Sequence, residues 1–301
     1  MLDIKFIREN LELVKQNCAN RRSKVDLDLL LSLEKQRREL LKKVEELRAS
    51  RNQGSKGKPT PEEIAKMRAV GEEIKETESS LANIEIEYKD HLMRVPNMTH
   101  ADTPIGGEDN FKIIYQSPTE MKFGFSPKDH EELLVKNDLI DFERAAKVSG
   151  AKFYFTKNNL VRLNQALINY SMDVVTKHGF TLMETPDLAK NEILTGIGFN
   201  PRGAETQVYS IEGTDLSLIG TAEITVGGFH SNEVLDLTNG PKKYVALSHC
   251  FRTEAGSYGR TSKGLYRVHQ FTKLEMFAYC KPEDSEKIHQ EILAIEQEIA
   301  D

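Results

Sequence analysis

Residues 251–271 read FRTEAGSYGRTSKGLYRVHQF, and this stretch decides what kind of domain the chain forms. It begins at the end of an apolar strand, where Arg252 and Glu254 stand two residues apart, and it leads into a second strand. Side chains two residues apart in a strand project from the same face, so this arginine and this glutamate point the same way. Phe271, Lys273 and Glu275 share a face of the second strand for the same reason. The loop between the strands is rich in glycine and positive charge, which suits contact with phosphates.

A surface hairpin with an ordinary cross-strand ion pair is the alternative interpretation of this stretch. Exposed Arg–Glu pairs are common and contribute little to stability. Strand periodicity alone therefore does not distinguish a phosphate site from such a hairpin. Other parts of the sequence are needed to choose between them.

Four strand-like segments precede or form the start of this hairpin. Because loops rather than helices separate them, they predict an antiparallel sheet. The segments are FTLMETPDL (180–188), TQVYSI (206–211), LSLIGTAEITVGGF (216–229) and YVALSHCF (244–251).

Helices and a short strand are predicted around this sheet. Ser126-Pro127 opens a short helix, LIDFERAAKVSG forms another that stops at Gly150, and FYF is a short strand. Thr156 caps a long helix that ends at His178-Gly179, with glycine in the usual place after the last turn. The last segment, PEDSEKIHQEILAIEQEIAD, is an amphipathic helix. Because the long helix is apolar on several sides, we expect it to be well buried; its apolar residues are Leu160, Leu163, Leu167, Met172 and Val175.

The first hundred residues carry helical patterns. Asp3 can cap a first helix, and Thr60-Pro61-Glu62-Glu63 has the residue types of a capping box. Two apolar stripes with heptad-like spacing predict an antiparallel coiled-coil hairpin over about residues 27–92, roughly 40 Å long. These two stripes are Leu30, Leu33, Leu40, Val44 and Leu47, with Arg37 in register, in the second helix, and Met67, Val70, Ile74, Thr77, Leu81, Ile84 and Tyr88 in the third. The first helix has a separate apolar stripe of Ile4, Ile7, Leu11 and Val14.

Charge is distributed unevenly over the 301 residues, which carry a net charge of −6. Residues 15–58 contain 13 Lys and Arg and 6 Asp and Glu, a local excess of seven positive charges. This asymmetry indicates a basic arm on an acidic body, although a solvated helix face would look the same. Pro and Gly break the helical pattern over residues 95–110 and predict a linker. We place the domain limits at 1–105 for the helical arm, 106–125 for the linker and 126–301 for the α+β domain.

Composition excludes several classes of protein. The chain is 39% apolar and 29% charged, which is typical of a soluble globular protein with a long charged helical part. No run approaches the roughly 18 apolar residues of a membrane helix, and the N-terminus has no secretory signal. Cys18, Cys250 and Cys280 are isolated, so they predict neither a metal site nor a disulfide framework. We expect a cytoplasmic protein that binds no membrane.

The chain resembles the seryl-tRNA synthetases, a family of class II aminoacyl-tRNA synthetases, from Met1 to Asp301. The hairpin matches the family's tRNA-binding arm, and DFERAAKVSGAKFYF resembles its entry into the catalytic domain. GFTLMETPDL is similar to class II motif 1, with Pro186 near the dimer interface, and GTAEI is similar to the family's Thr-x-Glu loop. FRTEAGSYGRTSKGLYRVHQFTKLE is similar to motif 2. The resemblance implies an α+β protein in which a helical hairpin precedes a class II antiparallel-sheet catalytic domain, assembled as a homodimer.

The resemblance also implies roles for the residues of motif 2. Arg252 would bind the α-phosphate of ATP and the substrate carboxylate, because a guanidinium makes paired bonds to oxyanions and never deprotonates. Glu254 would accept from the adenine amino group. Phe271 would stack on the adenine ring, and Thr253 and Val268 would line the nucleotide site. Arg260 and Lys263 in the loop would meet phosphates at the acceptor end of tRNA.

For the amino acid, the resemblance implies that Thr221, Glu223 and Glu275 bind L-serine. A site built to hydrogen-bond a hydroxyl strongly rejects an analogue that lacks it, because its own polar groups would be left unpaired. Structural roles are the alternatives. Thr221 could cap a helix, and the two glutamates could pair with lysines.

One departure from the family concerns the end of the chain. Family members continue past motif 2 for well over a hundred residues that hold motif 3 and the acidic and serine ligands of Mg²⁺. We expect the chain to be a fragment of such an enzyme that forms no seryl-adenylate by itself. The alternative is a catalytically inactive, synthetase-like module that binds tRNA, and the coding sequence after Asp301 distinguishes the two.

Overall fold

A computed structural model of the chain describes residues 2–54, 60–107, 109–116, 122–199, 207–254 and 264–301. Its contacts divide the chain into two compact units, Met1–Met121 and Lys122–Asp301. The helices of the first unit are Ile4–Glu9 (α1), Leu11–Asn20 (α2), Leu27–Gly54 (α3) and Pro61–Met93 (α4). None of the helices within the described ranges is both long and apolar enough to cross a membrane.

The N-terminal helix is capped as predicted but is interrupted once. Asp3 is the N-cap of α1, and its carboxylate accepts a hydrogen bond of 2.7 Å from the backbone N–H of Lys5. At Asn10 the chain leaves the helix, and the side-chain amide of Asn10 donates to the carbonyl of Phe6 at 3.0 Å. Asn favours such local bonds over helix continuation, so the predicted single stripe spans α1 and α2. Ile7 and Val14 from that stripe are fully buried.

Helices α3 and α4 form the predicted antiparallel hairpin. Leu30 and Val44 are buried on α3, as are Ile74 and Leu81 on α4. Arg37 interrupts the apolar stripe because its charge has partners there. Its guanidinium lies 5.5 Å from the ring centroid of Tyr88 and its Nε donates to Glu85 at 3.2 Å. The stem of the arginine can then cover apolar surface while the charge is paired.

The start of α4 confirms the capping box. The hydroxyl of Thr60 accepts from the N–H of Glu63 at 3.3 Å, and the Glu63 carboxylate accepts from the N–H of Thr60 at 2.6 Å. The bond from the N–H of Thr60 stabilises the charged carboxylate and is the main cause of the lowered pKa of Glu63.

The second unit combines seven helical segments with seven strands among its described residues. Its helices are His130–Lys136 (α5), Phe142–Val148 (α6), Asn159–Lys177 (α7), Asn191–Ile197 (α8), Ala222–Phe229 (α9) and Ser285–Ala300 (α10), with a 3-10 turn at Pro282–Asp284. Its strands are Ile140–Asp141 (β1), Phe155–Thr156 (β2), Thr181–Glu184 (β3), Leu188–Lys190 (β4), Leu216–Leu218 (β5), Lys242–Phe251 (β6) and Gln270–Tyr279 (β7).

The central sheet has the order β3-β6-β7. Strands β6 and β7 pair in antiparallel register from Lys242↔Tyr279 to Phe251↔Gln270, as the hairpin interpretation of the sequence predicts. Strand β3 pairs with β6 in parallel. The sequence interpretation missed this because it recognised no helix between the two strands, whereas α8 and α9 both lie there. Parallel neighbours need such a long connection.

The strand interpretation of residues 222–229 is wrong, since they form α9. A short apolar run fits a buried strand and a buried helix equally well. Tertiary packing selects the helix here. A Cβ added at Gly227 would lie 2.4 Å from Ile197 Cδ1, and one added at Gly228 would lie 2.5 Å from Ile193 Cγ2. The two glycines therefore let α9 approach α8 closely.

Two helix starts also differ from the predicted ones. The first short helix begins at His130 with Asp129 as its N-cap, not at Ser126-Pro127, and Asp129 Oδ1 accepts from the N–H of Glu132 at 2.9 Å. The N-cap position of α7 is Asn158 rather than Thr156, because Thr156 belongs to β2 and pairs with Ile140.

Helix α7 is less buried than its composition predicts. Val174 and Val175 near its C-terminal end are buried against Phe180, Val245 and Ile295. Closer to its N-terminal end, the side chains of Leu163 and Leu167 are 54% and 55% exposed. The prediction of a well-buried helix is therefore wrong for this half, because the described part of the chain covers only the last turns.

Candidate active site

One face of the β6–β7 hairpin brings the predicted site residues together. Small residues of β6 stand opposite long residues of β7, with the pairs Ala246↔Glu275, Ser248↔Lys273 and Cys250↔Phe271. Directly opposed residues of an antiparallel pair share a face. Helix α9 packs on this face, since Ala222, Val226 and Ala246 form one buried cluster. The start of α9 therefore lies beside the charged side chains of β7.

Thr221 joins this helix to Glu275. It is 2% exposed and is the N-cap of α9, where its hydroxyl accepts from the N–H of Glu223 at 3.2 Å. The same hydroxyl donates to Glu275 Oε2, and the N–H of Glu223 also reaches that oxygen at 3.1 Å. Thus the helix cap that was the structural alternative for Thr221 is present, and the structure adds a direct bond between Thr221 and Glu275. The side chain of Glu223 is exposed.

Lys273 completes the network and was not among the predicted site residues. Its ammonium donates to Glu275 Oε1 at 2.9 Å and to Thr221 Oγ1 at 3.0 Å. The expected alternative of a Glu–Lys pair is therefore also present at Glu275. The position of Lys273 between Phe271 and Glu275 on one strand face was a signal in the sequence that pointed to it.

Arg252 stands at the end of β6 on the same side of the hairpin. Its Nε donates to the carbonyl of Gly220 at 3.2 Å, and its guanidinium carbon lies 5.2 Å from the ring centroid of Phe271. Gly220 precedes the cap residue Thr221, and a Cβ there would lie 2.9 Å from the ring of Phe199. The arginine is therefore hydrogen-bonded to the residue that directly precedes the N-cap of α9.

Glu254 and Val268 lie where the hairpin opens into its loop. Glu254 has a φ of +50°, and its side chain is 10% exposed and accepts from Arg267 at 3.2 Å. Val268 is 7% exposed. The backbone N–H of Thr253 donates to the carbonyl of Gln207 at 3.1 Å. Arg260 and Lys263, which were expected to contact tRNA, lie outside the described residues.

His269 is a further residue that sequence reasoning missed. Its Nδ1 lies 2.9 Å from the carbonyl oxygen of Arg252 and 3.0 Å from the hydroxyl of Tyr209. The N–H of Arg252 donates to the carbonyl of His269 at 3.0 Å. The histidine thus holds the backbone of Arg252 from two sides. Burial and the nearby Glu254 raise the pKa of Tyr209, which keeps its phenol protonated.

Buried Cys250 lies beneath these charges. The side chain is fully buried, and its sulfur is 3.5 Å from the hydroxyl of Ser248. The pKa of this thiol is raised, mainly because the side chain is buried. It is therefore a neutral group on the floor of the site rather than a nucleophile.

Replacing Thr221 with valine should destabilise the fold by at least about 1 kcal/mol, the usual cost of a lost helix cap. Valine keeps the shape but offers no hydroxyl to Glu223 and Glu275. Urea unfolding measures the change, with Thr221→Ser as the matched control because serine keeps the hydroxyl. Equal stability of the valine variant and the wild type would contradict the cap.

The chain is similar to known proteins over nearly its whole length. Residues 1–99 match the family model described as the seryl-tRNA synthetase N-terminal domain, and residues 207–299 match the tRNA synthetase class II core domain (G, H, P, S and T). The serine–tRNA ligase of Treponema denticola is 50% identical over 307 residues, which cover 99% of this chain and 73% of that protein. That of Dictyoglomus turgidum is 46% identical over 309 residues, with the same two coverages of 99% and 73%.

Solved structures give the same result. The seryl-tRNA synthetase of Pyrococcus horikoshii, complexed with ATP, superposes with a TM-score of 0.84 at 36% identity, over 98% of this chain and 73% of that one. The cytoplasmic serine-tRNA ligase of Naegleria fowleri, in complex with AMP, superposes with a TM-score of 0.78 at 27% identity, over 99% of this chain and 72% of that one. With its helical hairpin, its motif 2 face and its relatives over nearly the whole chain, the protein belongs to the seryl-tRNA synthetase family.

Proposed function

We propose that the protein is a serine–tRNA ligase, which uses ATP to activate L-serine as seryl-adenylate and then transfers the seryl group to tRNA(Ser). The observation that carries the proposal is the convergence of Arg252 with the Thr221–Glu275 network on one face of the β6–β7 hairpin. An oxyanion partner and a hydroxyl-binding group stand together there. Family relatives named serine–tRNA ligase over 99% of the chain support the same activity.

In the first step, a carboxylate oxygen of serine attacks the α-phosphorus of ATP, and the bond to the pyrophosphate oxygen breaks. We assign Arg252 to hold the two reacting oxyanions, because its guanidinium is fixed by Gly220 before substrate arrives. Fixing both groups within reach of each other lowers the barrier by avoiding later reorganisation. In the second step, the terminal ribose hydroxyl of tRNA attacks the activated carbonyl and AMP leaves.

The nucleotide residues implied by the family remain part of this proposal. Glu254 would accept from the adenine amino group, with Thr253 and Val268 lining the site. The guanidinium of Arg252 lies over the ring of Phe271. Adenine stacking on Phe271 therefore requires the opposite face of that ring or a shift of the arginine. Arg260 and Lys263 are proposed contacts of the tRNA acceptor end.

Mg²⁺ is proposed as the counterion of ATP. Across the described residues, no group of three or more His, Cys, Asp or Glu side chains could hold a metal ion. We therefore assign no ligand to it and no step of the reaction. A cytoplasmic location is proposed as well.

A homodimer is the proposed assembly. It is supported by the exposed apolar side chains of α7, of which Leu163 and Leu167 are more than half exposed and Tyr170 is 47% exposed. Isolated exposed apolar residues are common, but a contiguous patch favours an interface between chains.

Serine-dependent exchange of pyrophosphate into ATP, followed by charging of tRNA(Ser), tests the proposed function when both are measured with the full-length enzyme. An active enzyme catalyses both reactions with L-serine. A protein that binds tRNA(Ser) but supports no serine-dependent exchange would instead match the inactive tRNA-binding module.

The helical hairpin is the proposed binding surface for the long variable arm of tRNA(Ser). Several of its basic residues are already paired with acidic ones, such as Lys43 with Glu73 at 2.8 Å and Arg48 with Glu78 at 2.7 Å. Others carry no ion pair within the part of the hairpin that the structure describes, and they are exposed. These are Lys35, Lys66, Lys75 and Lys89. Their charges are available to phosphates.

Replacing Lys35, Lys75 and Lys89 together with alanine should weaken binding of tRNA(Ser) and flatten its salt dependence. Each phosphate contact that is lost should reduce the slope of log affinity against log salt by about one. Filter binding across a salt series measures both quantities, and a tRNA with a short variable arm is the control ligand. Unchanged slopes in the triple variant would show that these lysines do not face the RNA.

A further inference from the structure

Lys273 lies in the proposed serine site, although the family resemblance assigned it no role there. It is 32% exposed in its side chain and contacts both Thr221 and Glu275. Donor and acceptor chemistry fixes the direction of every bond around it. A lysine ammonium and a backbone N–H can only donate. Thr221 Oγ1 therefore accepts from Lys273 Nζ at 3.0 Å and from the N–H of Glu223 at 3.2 Å.

These contacts occupy every hydrogen-bonding position of the Thr221 hydroxyl. Both of its lone pairs are taken, so its single proton goes to Glu275 Oε2, the carboxylate oxygen beside it. The same oxygen accepts from the N–H of Glu223 at 3.1 Å. Thr221 consequently holds Glu275 in place and has nothing left to offer a ligand.

Within the described part of the chain, Lys273 Nζ and Glu275 Oε1 still have hydrogen-bonding positions free for a ligand, and the two atoms are 2.9 Å apart. An ammonium has three N–H groups, and the contacts to Thr221 and Glu275 use two of them. Oε1 accepts from Lys273 and keeps a second lone pair. The side chain of Glu275 is 16% exposed. The pair thus offers one donor and one acceptor side by side at the edge of the network.

A neutral hydroxyl is the ligand group that fits this pair, because it both donates and accepts. An ammonium would face the charge of Lys273, and a carboxylate would face that of Glu275. The ammonium of an amino acid has a better partner in Glu223. Its exposed carboxylate forms no ion pair within the described ranges.

We infer that Lys273 is a specificity-determining residue: together with Glu275 it recognises the side-chain hydroxyl of serine, while Glu223 takes the ammonium. This inference rests on the proposed function. It assigns the choice of serine over alanine to a lysine–glutamate pair rather than to Thr221, whose role is to position Glu275.

The test compares Lys273→Met with Lys273→Arg in serine-dependent ATP–pyrophosphate exchange catalysed by the full-length enzyme. Losing a hydrogen bond to a charged group should lower kcat/KM for serine by about 10- to 100-fold in the methionine variant. The KM for ATP should stay within about twofold of wild type. The inhibition constant of L-alanine, which lacks the hydroxyl, should also stay within about twofold, because alanine never uses the pair. Arginine keeps the charge and the donors and should recover part of the loss.

A purely structural role for Lys273 predicts a different pattern, in which serine, alanine and ATP are affected alike. That result, or an unchanged ratio of serine to alanine affinity, would overturn the inference. If Lys273→Met does not fold, Lys273→Gln supplies the same comparison with a neutral donor. Absence of serine-dependent exchange from the full-length wild-type enzyme would overturn the proposed function and the inference together. Wild-type activity with unaltered discrimination in the variants would overturn the inference alone.

Discussion

In the full-length enzyme, serine-dependent ATP–pyrophosphate exchange is expected to fall by about 10²- to 10³-fold when Arg252 is replaced with alanine. This is the usual cost of removing one preorganised electrostatic donor from an active site. The guanidinium is preorganised because Gly220 accepts from its Nε at 3.2 Å and the ring of Phe271 lies 5.2 Å away. The backbone of the residue is held as well, since its N–H donates to the carbonyl of His269 at 3.0 Å.

Arg252→Lys should recover little of the lost exchange. Lysine keeps the positive charge but lacks the planar fork that can hold two oxyanions at once. Arg144→Ala is the matched control, because Arg144 is an exposed arginine of α6, 74% exposed in its side chain and outside the site. Wild-type exchange in Arg252→Ala would show that another arginine holds the phosphate. Equal losses in both alanine variants would point to a general effect of removing charge.

Local chemistry explains which parts of the fold could be predicted from sequence. The capping box at Thr60 and Glu63 depends on two residues three positions apart, and the hairpin depends on apolar residues that recur along both α3 and α4. The first pattern involves only neighbouring residues, and the second is repeated many times along each helix, so both can be recognised in the sequence. The motif 2 hairpin was likewise predicted, because its two strands, β6 and β7, follow one another in the sequence.

Tertiary context decided the parts that could not be predicted. The apolar run from Ala222 becomes α9 because Gly227 and Gly228 fit against α8, a neighbour that the run itself does not specify. Exposure of Leu163 depends on what covers α7, which its own periodicity cannot show. The contact of His269 with the carbonyl of Arg252 joins residues 17 positions apart through the hairpin register.

The structural roles that the sequence offered as alternatives for Thr221 and Glu275 are both present, and they are joined in one network. Thr221 caps α9 and also holds Glu275. Glu275 pairs with Lys273 and also bonds to Thr221. A helix N-terminus supplies N–H donors that need acceptors, and a carboxylate placed there meets that need. The same contacts that stabilise the start of α9 therefore also fix the carboxylate of Glu275, to which the proposed function gives a role in binding serine.

Glu275→Gln is expected to lower kcat/KM for serine by about 10²-fold or more, because several hydrogen bonds to one charged group are lost together. The variant should also lose about 1–3 kcal/mol of unfolding free energy. The glutamine amide has one oxygen and one NH₂ group, whereas both carboxylate oxygens are acceptors in the native site. Its NH₂ must face either the ammonium of Lys273 or the hydroxyl of Thr221 and the N–H of Glu223. In either orientation the NH₂ group of the glutamine, a hydrogen-bond donor, faces another donor and leaves both unpaired.

Combining Glu275→Gln with Lys273→Met separates the structural from the functional part of this loss. With the ammonium gone, the NH₂ group can turn toward the methionine, and the amide oxygen can accept from Thr221 and Glu223. Urea unfolding should therefore show the double variant to be more stable than the sum of the single changes, with a coupling of about 0.5–3 kcal/mol between contacting residues. Serine activation should stay low, because neither partner of the hydroxyl remains. Strictly additive stabilities would mean that Glu275 and Lys273 do not interact in solution. Recovery of serine activation along with stability would mean that the native pair serves the fold and that the hydroxyl is recognised elsewhere.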